Sequence, residues 1–414
     1  MRSIAASLCA ALLTALAANP AHAAEPAARQ HGEDFDALWS AIDKAYAYFG
    51  DGGRDAWQRA RATWRRRAVE APTGRAFLEA LEGALATLDD DHVELSRRTP
   101  DSPRRIPRET DIWARWREGS AVIEAVRTYG DADVAGLRPG DIVASIDGID
   151  AAEAVRRRVG DGASLARRDH ALRALLAGPR FGTLRLAVRD GARLRELAIA
   201  RANDDLETGP PLLARRMGEK RDIGYLRLRN AIHDERLVSR IDGAITLLRG
   251  TRGLIVDLRE STGPGSRAAT AAILARFAPA GTPWQMREPR DAPRVTDRVP
   301  AGHRSPPYDA PLIVLTDRWT EGEAEALAAG LHEAAHARIA GTPSAGLRGD
   351  LRAVTLPHSK IVVRFPAERT FLLDATPREA LAPEIAVDLA APSGGPGDPI
   401  LYQALKAFEA PPAR

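Results

Sequence analysis

From Pro311 to Leu327 the chain reads PLIVLTDRWTEGEAEAL, a buried-strand pattern that runs into a helix across a short turn. A turn of this kind can do chemistry. The first amides of a helix have no intrahelical partner and lie at the positive end of its dipole. Thr320 and Glu323 have the spacing of a capping box, which predicts that the free amides begin near Gly322. A nucleophile held there would have its developing oxyanion stabilised by those amides. Residue 322 is glycine, which carries no nucleophilic atom.

Other residue types complete the inventory. His92, in LDDDHVEL (88–95), is a single histidine at the junction of a helical and an alternating pattern. It reads either as a general base or as a hydrogen-bonded structural residue. Ser261, Ser266 and Ser344 are hydroxyls in loops, without the helix-start placement an oxyanion site requires. His332-Glu333-Ala-Ala-His336 has the spacing of a zinc-peptidase helix, with Glu333 as base. No third ligand follows at a familiar spacing, and no metal or other cofactor is assigned.

The elements that must position these groups fall into three regions. Residues 24–100 read as helical, with Phe35, Leu38, Trp39, Ile42 and Tyr46 on one stripe and Phe77, Leu78, Leu81, Leu85 and Leu88 on another. Residues 101–205 read as short strands and turns, with a strand over 121–126, a helix over 165–176 and a hairpin turning at Asp190-Gly191. From 206 to 410, strands at 223–228, 254–258 and 312–315 alternate with helices near 234–248, 265–277 and 322–335. That order predicts an α/β core on a mainly parallel sheet. Residues 279–307, rich in Pro and charge, read as a surface loop.

Residues 1–23 have the pattern of a secretory signal: Arg2, an apolar run from Ile4 to Leu16, and Ala21-His22-Ala23 as the cleavage site. An exported protein, periplasmic or secreted, is therefore expected, with no membrane span in the mature chain. The only cysteine, Cys9, lies in that leader, which leaves no thiol for a disulfide, a metal or a nucleophile. The formal net charge is +3, so no long-range field points to nucleic acid. Arg59, Arg61, Arg65, Arg66 and Arg67 cluster within a helical pattern and read as a solvated face.

Several segments, in order, carry a resemblance. AGLRPGDIVASIDG (135–148) is similar to the signature of a PDZ domain. FDALWSAIDKAYAYF, LDDDHVEL, IGYLRLRNA, LIVDLRESTGPG, VLTDRWTEGEAEALA, IAGTPSAG and LAPEIAVDL together resemble the C-terminal processing, or tail-specific, serine protease family. The likeness is to its tricorn-core and retinoid-binding-protein-like branch more than to its Ser/Lys branch. The resemblance implies an α/β fold with a helical N-terminal region, a PDZ-like β-rich module and a core of the ClpP/crotonase-like type. It also implies a polypeptide substrate or ligand, a free C-terminus among the candidates.

Carried over residue by residue, the resemblance places the base at His92, the nucleophile at Gly322 and the family's acidic residue of that turn at Glu325. The orienting glutamate aligns with Pro377, and Glu379 serves if the loop is shorter. The oxyanion donors fall on Gly263-Pro264 and on the amide of Glu323, and proline has no N–H to give. The lysine of the Ser/Lys branch falls on Leu347. Glu321, Glu323 and Glu325 crowd the helix start and repel an anion. The expectation is an exported peptide-binding protein of this family with impaired peptidase activity. An active endopeptidase using a non-standard nucleophile is the alternative, and a zinc peptidase through His332, Glu333 and His336 a more distant one.

Overall fold

A computed structural model describes residues 20–409, apart from 51–52, 202–208, 230–231, 233–234, 264, 303–304 and 392–396. Most of residues 1–23, read above as a leader, therefore lies outside the described residues, and the first helix begins within that stretch at Pro20. Three helices open the fold: α1 (Pro20–Ala45), α2 (Gly53–Val69) and α3 (Gly74–Leu85). Both apolar stripes read from the sequence are buried between them, with Trp39 and Trp57 stacked 3.5 Å apart. The Arg-rich face of α2 is solvated, and Arg61 and Arg65 pair with Asp36 on α1.

A two-residue strand, β1 (Glu94–Leu95), follows the aspartate run, and a connector leads into a β-rich module. Its elements are β2 (Ile112–Arg117), β3 (Ser120–Val126), α4 (Asp131–Val134), β4 (Ile142–Ile146), β5 (Ile149–Asp150), α5 (Ala151–Val159), α6 (Leu165–Ala177), β6 (Thr183–Asp190) and β7 (Arg193–Ala200). The sheet order is β2-β3-β4-β6-β7, all antiparallel, and the alternating residues Leu184, Leu186 and Val188 fill its core. The sequence reading missed α5. The Asp150 side chain caps that helix by accepting from the amides of Ala152 and Glu153.

The remainder is the α/β core. It comprises β8 (Leu212–Met217), β9 (Ile223–Leu228), α7 (Glu235–Leu248), β10 (Gly253–Asp257), α8 (Arg267–Leu274), β11 (Pro283–Pro289), β12 (Val295–Arg298), β13 (Leu312–Thr316), α9 (Glu323–Ala335) and β14 (Arg338–Gly341). After these come β15 (Asp350–Thr355), β16 (Val362–Phe371), β17 (Ile385–Ala386) and α10 (Pro399–Ala407). The main sheet runs β17-β14-β13-β10-β9-β8 and is parallel except at β8, as the alternation of strands and helices predicts. Strands β10 and β13 are buried on both faces. Val256 and Val314 pack against α7, α8 and α9, while Ile255, Ile313 and Leu315 face α10. Each such side chain contributes about 1.5–3 kcal/mol of burial.

Residues 279–307 are not the surface loop their Pro and charge content suggests. They contain β11 and β12, which join β16, β15 and β1 in a second, antiparallel sheet. Trp284 of β11 is buried against the core helices, and that burial outweighs the local turn composition.

Candidate active site

The carboxyl ends of the parallel strands β10, β13 and β14 lie side by side, where ligands collect in open α/β sheets. The glycine loop leaves β10, the 317–322 turn leaves β13, and the 342–348 loop leaves β14. One carboxylate and one backbone bond tie the first two segments together. Asp317 accepts from the amides of Glu260 (3.1 Å) and Trp319 (2.9 Å), and the amide of Glu321 donates to the carbonyl of Ser261 at 3.1 Å.

Gly322 is the residue before α9, with φ +60° and ψ −116°. This is the first central position of a mirror-image type II turn, strained for any L side chain and the kind of bend on which strand-to-helix nucleophiles sit. A Cβ placed there would meet nothing within 4 Å, so the space for a side chain is open. The bend thus has the geometry expected of a nucleophile turn, and residue 322 brings no side chain to it.

The capping box expected from Thr320 and Glu323 does not form. Thr320 is fully buried, and its hydroxyl donates to the carbonyl of Leu258 (3.0 Å) and accepts from the amide of Asp317 (3.0 Å). Glu325 reaches back instead, accepting from the amide of Gly322 at 3.0 Å. The same carboxylate accepts from Ser344 Oγ (2.7 Å) and from the amides of Gly346 (2.7 Å) and Leu347 (3.3 Å). A glycine at the cap has no side-chain acceptor, so a longer residue one turn into the helix takes that role. Glu325 is thus a buried hub joining the turn to the loop after β14.

His92 meets the opposite side of that loop. Its Nδ1 lies 2.7 Å from the carbonyl of Arg348, and its amide donates to Asp90 at 2.9 Å. A carbonyl can only accept, so Nδ1 carries a proton, and in the neutral ring the lone pair lies on Nε2. This is the tautomer a general base needs, fixed by a carbonyl rather than by a carboxylate. Asp90 is itself anchored by the Tyr46 hydroxyl at 2.6 Å. The loop from Ser344 to Arg348 therefore touches Glu325 on one flank and His92 on the other.

Glu379 sits beside the same loop, where a Cβ on Gly346 would lie 3.4 Å from its carbonyl. One of its carboxyl oxygens is buried with no hydrogen-bond partner among the described residues. Burial pushes this carboxyl up, Arg378 pulls it back and Glu325 pushes it further up. Pro377 only begins the short helical turn over 378–380 and offers no side-chain donor or acceptor. The shorter-loop alternative thus puts Glu379 at the site, though not on the His92 ring nitrogen that Arg348 occupies.

On the oxyanion side, Gly263 lies in the bend before α8, and Pro264 falls outside the described residues. Gly265 packs so closely on Glu323 that any side chain there would overlap it. Glu323 accepts from the Thr270 hydroxyl at 2.7 Å, and burial pushes its carboxyl up, with Asp350 adding repulsion. Leu347, at the lysine position of the related branch, is buried.

The sequence did not reveal a clamp on the turn. The connector and the β-rich module grip residues 318–321. Arg108 pairs with Glu321 at 2.7 Å, Arg318 with Glu124 at 2.7 Å, and Trp319 Nε1 donates to the carbonyl of Thr110 at 2.6 Å. Arg127 lies 5.2 Å over the Trp319 ring. Burial pushes Glu321 up to about 7 despite Arg108, while the same pair raises the Arg108 guanidinium. Burial wins at Glu321 because it is almost wholly enclosed and its partner is not. The signal available in the sequence was Trp319, a large apolar residue in the middle of a turn.

The zinc pattern does not assemble. His336 ends α9 in the left-handed conformation at φ +53°, and His332 Nδ1 is taken up by the carbonyl of Ala337 at 3.0 Å and by Glu384 at 3.3 Å. The two histidines do not share a helical face. Among the described residues no three acidic, histidine or cysteine side chains gather as metal ligands, and no helix is long and apolar enough to cross a membrane.

Residues 222–387 match the sequence profile of peptidase family S41. No curated protein matches the chain. Among solved structures, the photosystem II D1 C-terminal processing protease is 19% identical with a TM-score of 0.53, covering 87% of this chain and 94% of its own. Mature CPAF is 14% identical with a TM-score of 0.56, covering 92% and 96%. A putative peptidase from Parabacteroides merdae is 15% identical with a TM-score of 0.53, covering 92% and 97%. At these identities the likeness is one of fold.

Proposed function

We propose that the chain, whose residues 222–387 match peptidase family S41, is an exported, PDZ-bearing polypeptide-binding protein of that family whose peptidase activity is lost or severely weakened. The observation that carries this reading is Gly322: open space, a strained nucleophile-turn backbone and no reactive atom. In acyl transfer by this site, a hydroxyl at 322 would lose its proton to a base, and the oxyanion would be met by amides at the helix start. His92 retains the tautomer for that work. The step before it, attack on the carbonyl carbon, has no atom to perform it.

Export rests on the leader pattern of residues 1–23, and the PDZ reading on the signature over 135–148 together with the antiparallel module that carries it. A module of this type takes an extended peptide by strand addition, with a free C-terminus as the usual ligand. Incubating the purified chain with casein and with an unfolded C-terminal substrate tests the reading. No cleavage is expected, and cleavage blocked by a serine-directed phosphonate overturns it.

One observation favours a second reading, an active enzyme with a displaced nucleophile. Thr320 and Ser261 are buried, and Ser266 proves to be the N-cap of α8, whereas Ser344 borders an open cleft with its Oγ 2.7 Å from Glu325. Against it, Glu325 already accepts three backbone amides, which occupy the lone pairs it would need to take a proton from Ser344. Ser344→Ala abolishing turnover would establish this alternative.

A further inference from the structure

Strand β2 is the outermost strand of the module sheet and pairs with β3 on one side only. A peptide joining the sheet there would lie about 4.8 Å beyond β2, with its carbonyls accepting from the outward amides. Helix α6 already reaches that place. The amide of Trp116 donates to Oδ1 of Asp169 at 2.6 Å, and Arg115 Nε lies 3.3 Å from the other oxygen of the same carboxylate. Asp169 is buried, and one and two turns further along α6 Leu172 and Leu176 are buried in one cluster with Ile112 and Ala114 of β2. A hydrogen bond to an ionised acceptor is stronger than the neutral carbonyl–amide bond that a peptide would put in its place.

The other side of α6 is tied to the aspartate run. Arg167 pairs with Asp89 at 2.8 Å, and Arg173 and His170 pair with Asp91 at 3.2 and 3.1 Å. Both ends of the helix are jointed on glycine. Gly160 and Gly162 precede it at φ +78° and +75° with open space about both, and Gly178 follows it at φ +60°. The helix is therefore a hinged piece that side-chain pairs hold across the edge of a sheet.

We infer that α6 is an autoinhibitory strap on the β-rich module: Asp169 stands on β2 in the acceptor place of a peptide carbonyl, and an extended peptide joins the sheet only when α6 moves outward by about one strand spacing. The strap weakens binding in proportion to the fraction of chains in which it is closed. The inference rests on the peptide-binding reading and adds the regulation of that site, and it needs no turnover.

The test is an array of random-sequence decapeptides with free C-termini, probed with the native chain and with Asp169→Ala, followed by fluorescence anisotropy on the peptides retained. Asp169→Ala should bind these about tenfold or more tighter than the native chain, the worth of one hydrogen bond to a charged group. Asp169→Asn keeps an acceptor at the same amide and should bind more weakly than Asp169→Ala. Hydrogen exchange over residues 112–117 should be faster in Asp169→Ala than in the native chain, and slow again when peptide is added. Thermal melting checks folding. Arg167→Ala, which releases only the pair with Asp89, carries the test with a smaller gain if Asp169→Ala does not fold. Equal affinity of the native and folded variant chains, or exchange at 112–117 that peptide leaves unchanged, overturns the strap and leaves the peptide-binding reading standing. Retention of no peptide by any of these chains overturns that reading, and the strap with it.

Discussion

The two flanks of the Ser344–Arg348 loop differ in what they have kept. On one, His92 has its proton placed by the Arg348 carbonyl and its backbone held by Asp90, which Tyr46 anchors in turn. On the other, Gly322 has the strained bend expected of a nucleophile turn and no side chain. The scaffold on the second flank is as heavily braced as that on the first, with Glu325 accepting four hydrogen bonds and the module clamping Trp319. Under the proposed function, the difference teaches that the architecture of this site outlasts its chemistry, the braced turn serving to hold a ligand.

The sharpest way to break this comparison is to return the missing atom. Gly322→Ser combined with Pro264→Gly should give phosphonate labelling absent from the native chain. The single Gly322→Ser variant should trail the double by about 10²-fold, the cost of one oxyanion donor. Equal labelling rates for the two would remove the role assigned to Pro264. Adding His92→Gln to the double variant should abolish the labelling and leave the melting temperature unchanged. Persistent labelling would show that the first flank is not poised as a base.

Glu325→Ala leaves three amides and a hydroxyl without their acceptor, a loss on the order of 4 kcal/mol in denaturant unfolding. A loss under about 1 kcal/mol would mean that the nucleophile flank is not braced as described. Trp319→Ala should cost about 3 kcal/mol by emptying the contact with the module. A neutral result would detach the module from the turn.

The smallest effect is on pH. Glu321 is raised to about 7 and Asp317 to about 6, both chiefly by burial, so the folded chain holds protons that the unfolded chain releases. Stability should therefore fall as pH rises from near 4 through 7. His332, raised to about 8 by Glu384, stabilises fully below its ordinary value and loses that contribution as pH passes 8, in the same direction. The urea midpoint should be lower at pH 8 than at pH 5, and Glu321→Gln should reduce the difference. An unchanged difference would remove Glu321 from the account.

Local pattern carried the sequence reading a long way, because the strands buried on both faces are continuous apolar runs and the hairpin has its Asp190-Gly191 turn. Strands 223–228 and 312–316 and helices α7 and α9 follow such patterns. The antiparallel sheet was not legible, since β11 and β12 lie in a Pro- and charge-rich stretch and are strands only because β16 lies beside them. At the site, the family resemblance pointed to His92, Gly322 and Glu325, but not to which acceptor would cap α9. Thr320 and Glu325 are both plausible partners in one dimension. Only the fold shows that Thr320 is already spent on Leu258 and Asp317. The clamp through Arg108, Arg318 and Trp319 joins residues some two hundred positions apart, and no local spacing encodes it.

Intact-mass analysis of the native chain after exposure to an activated fluorophosphonate tests the central claim most directly. An unmodified mass is predicted, because position 322 offers only a hydrogen where a hydroxyl would react. A stoichiometric adduct on Ser344, Thr320 or any other hydroxyl would contradict it.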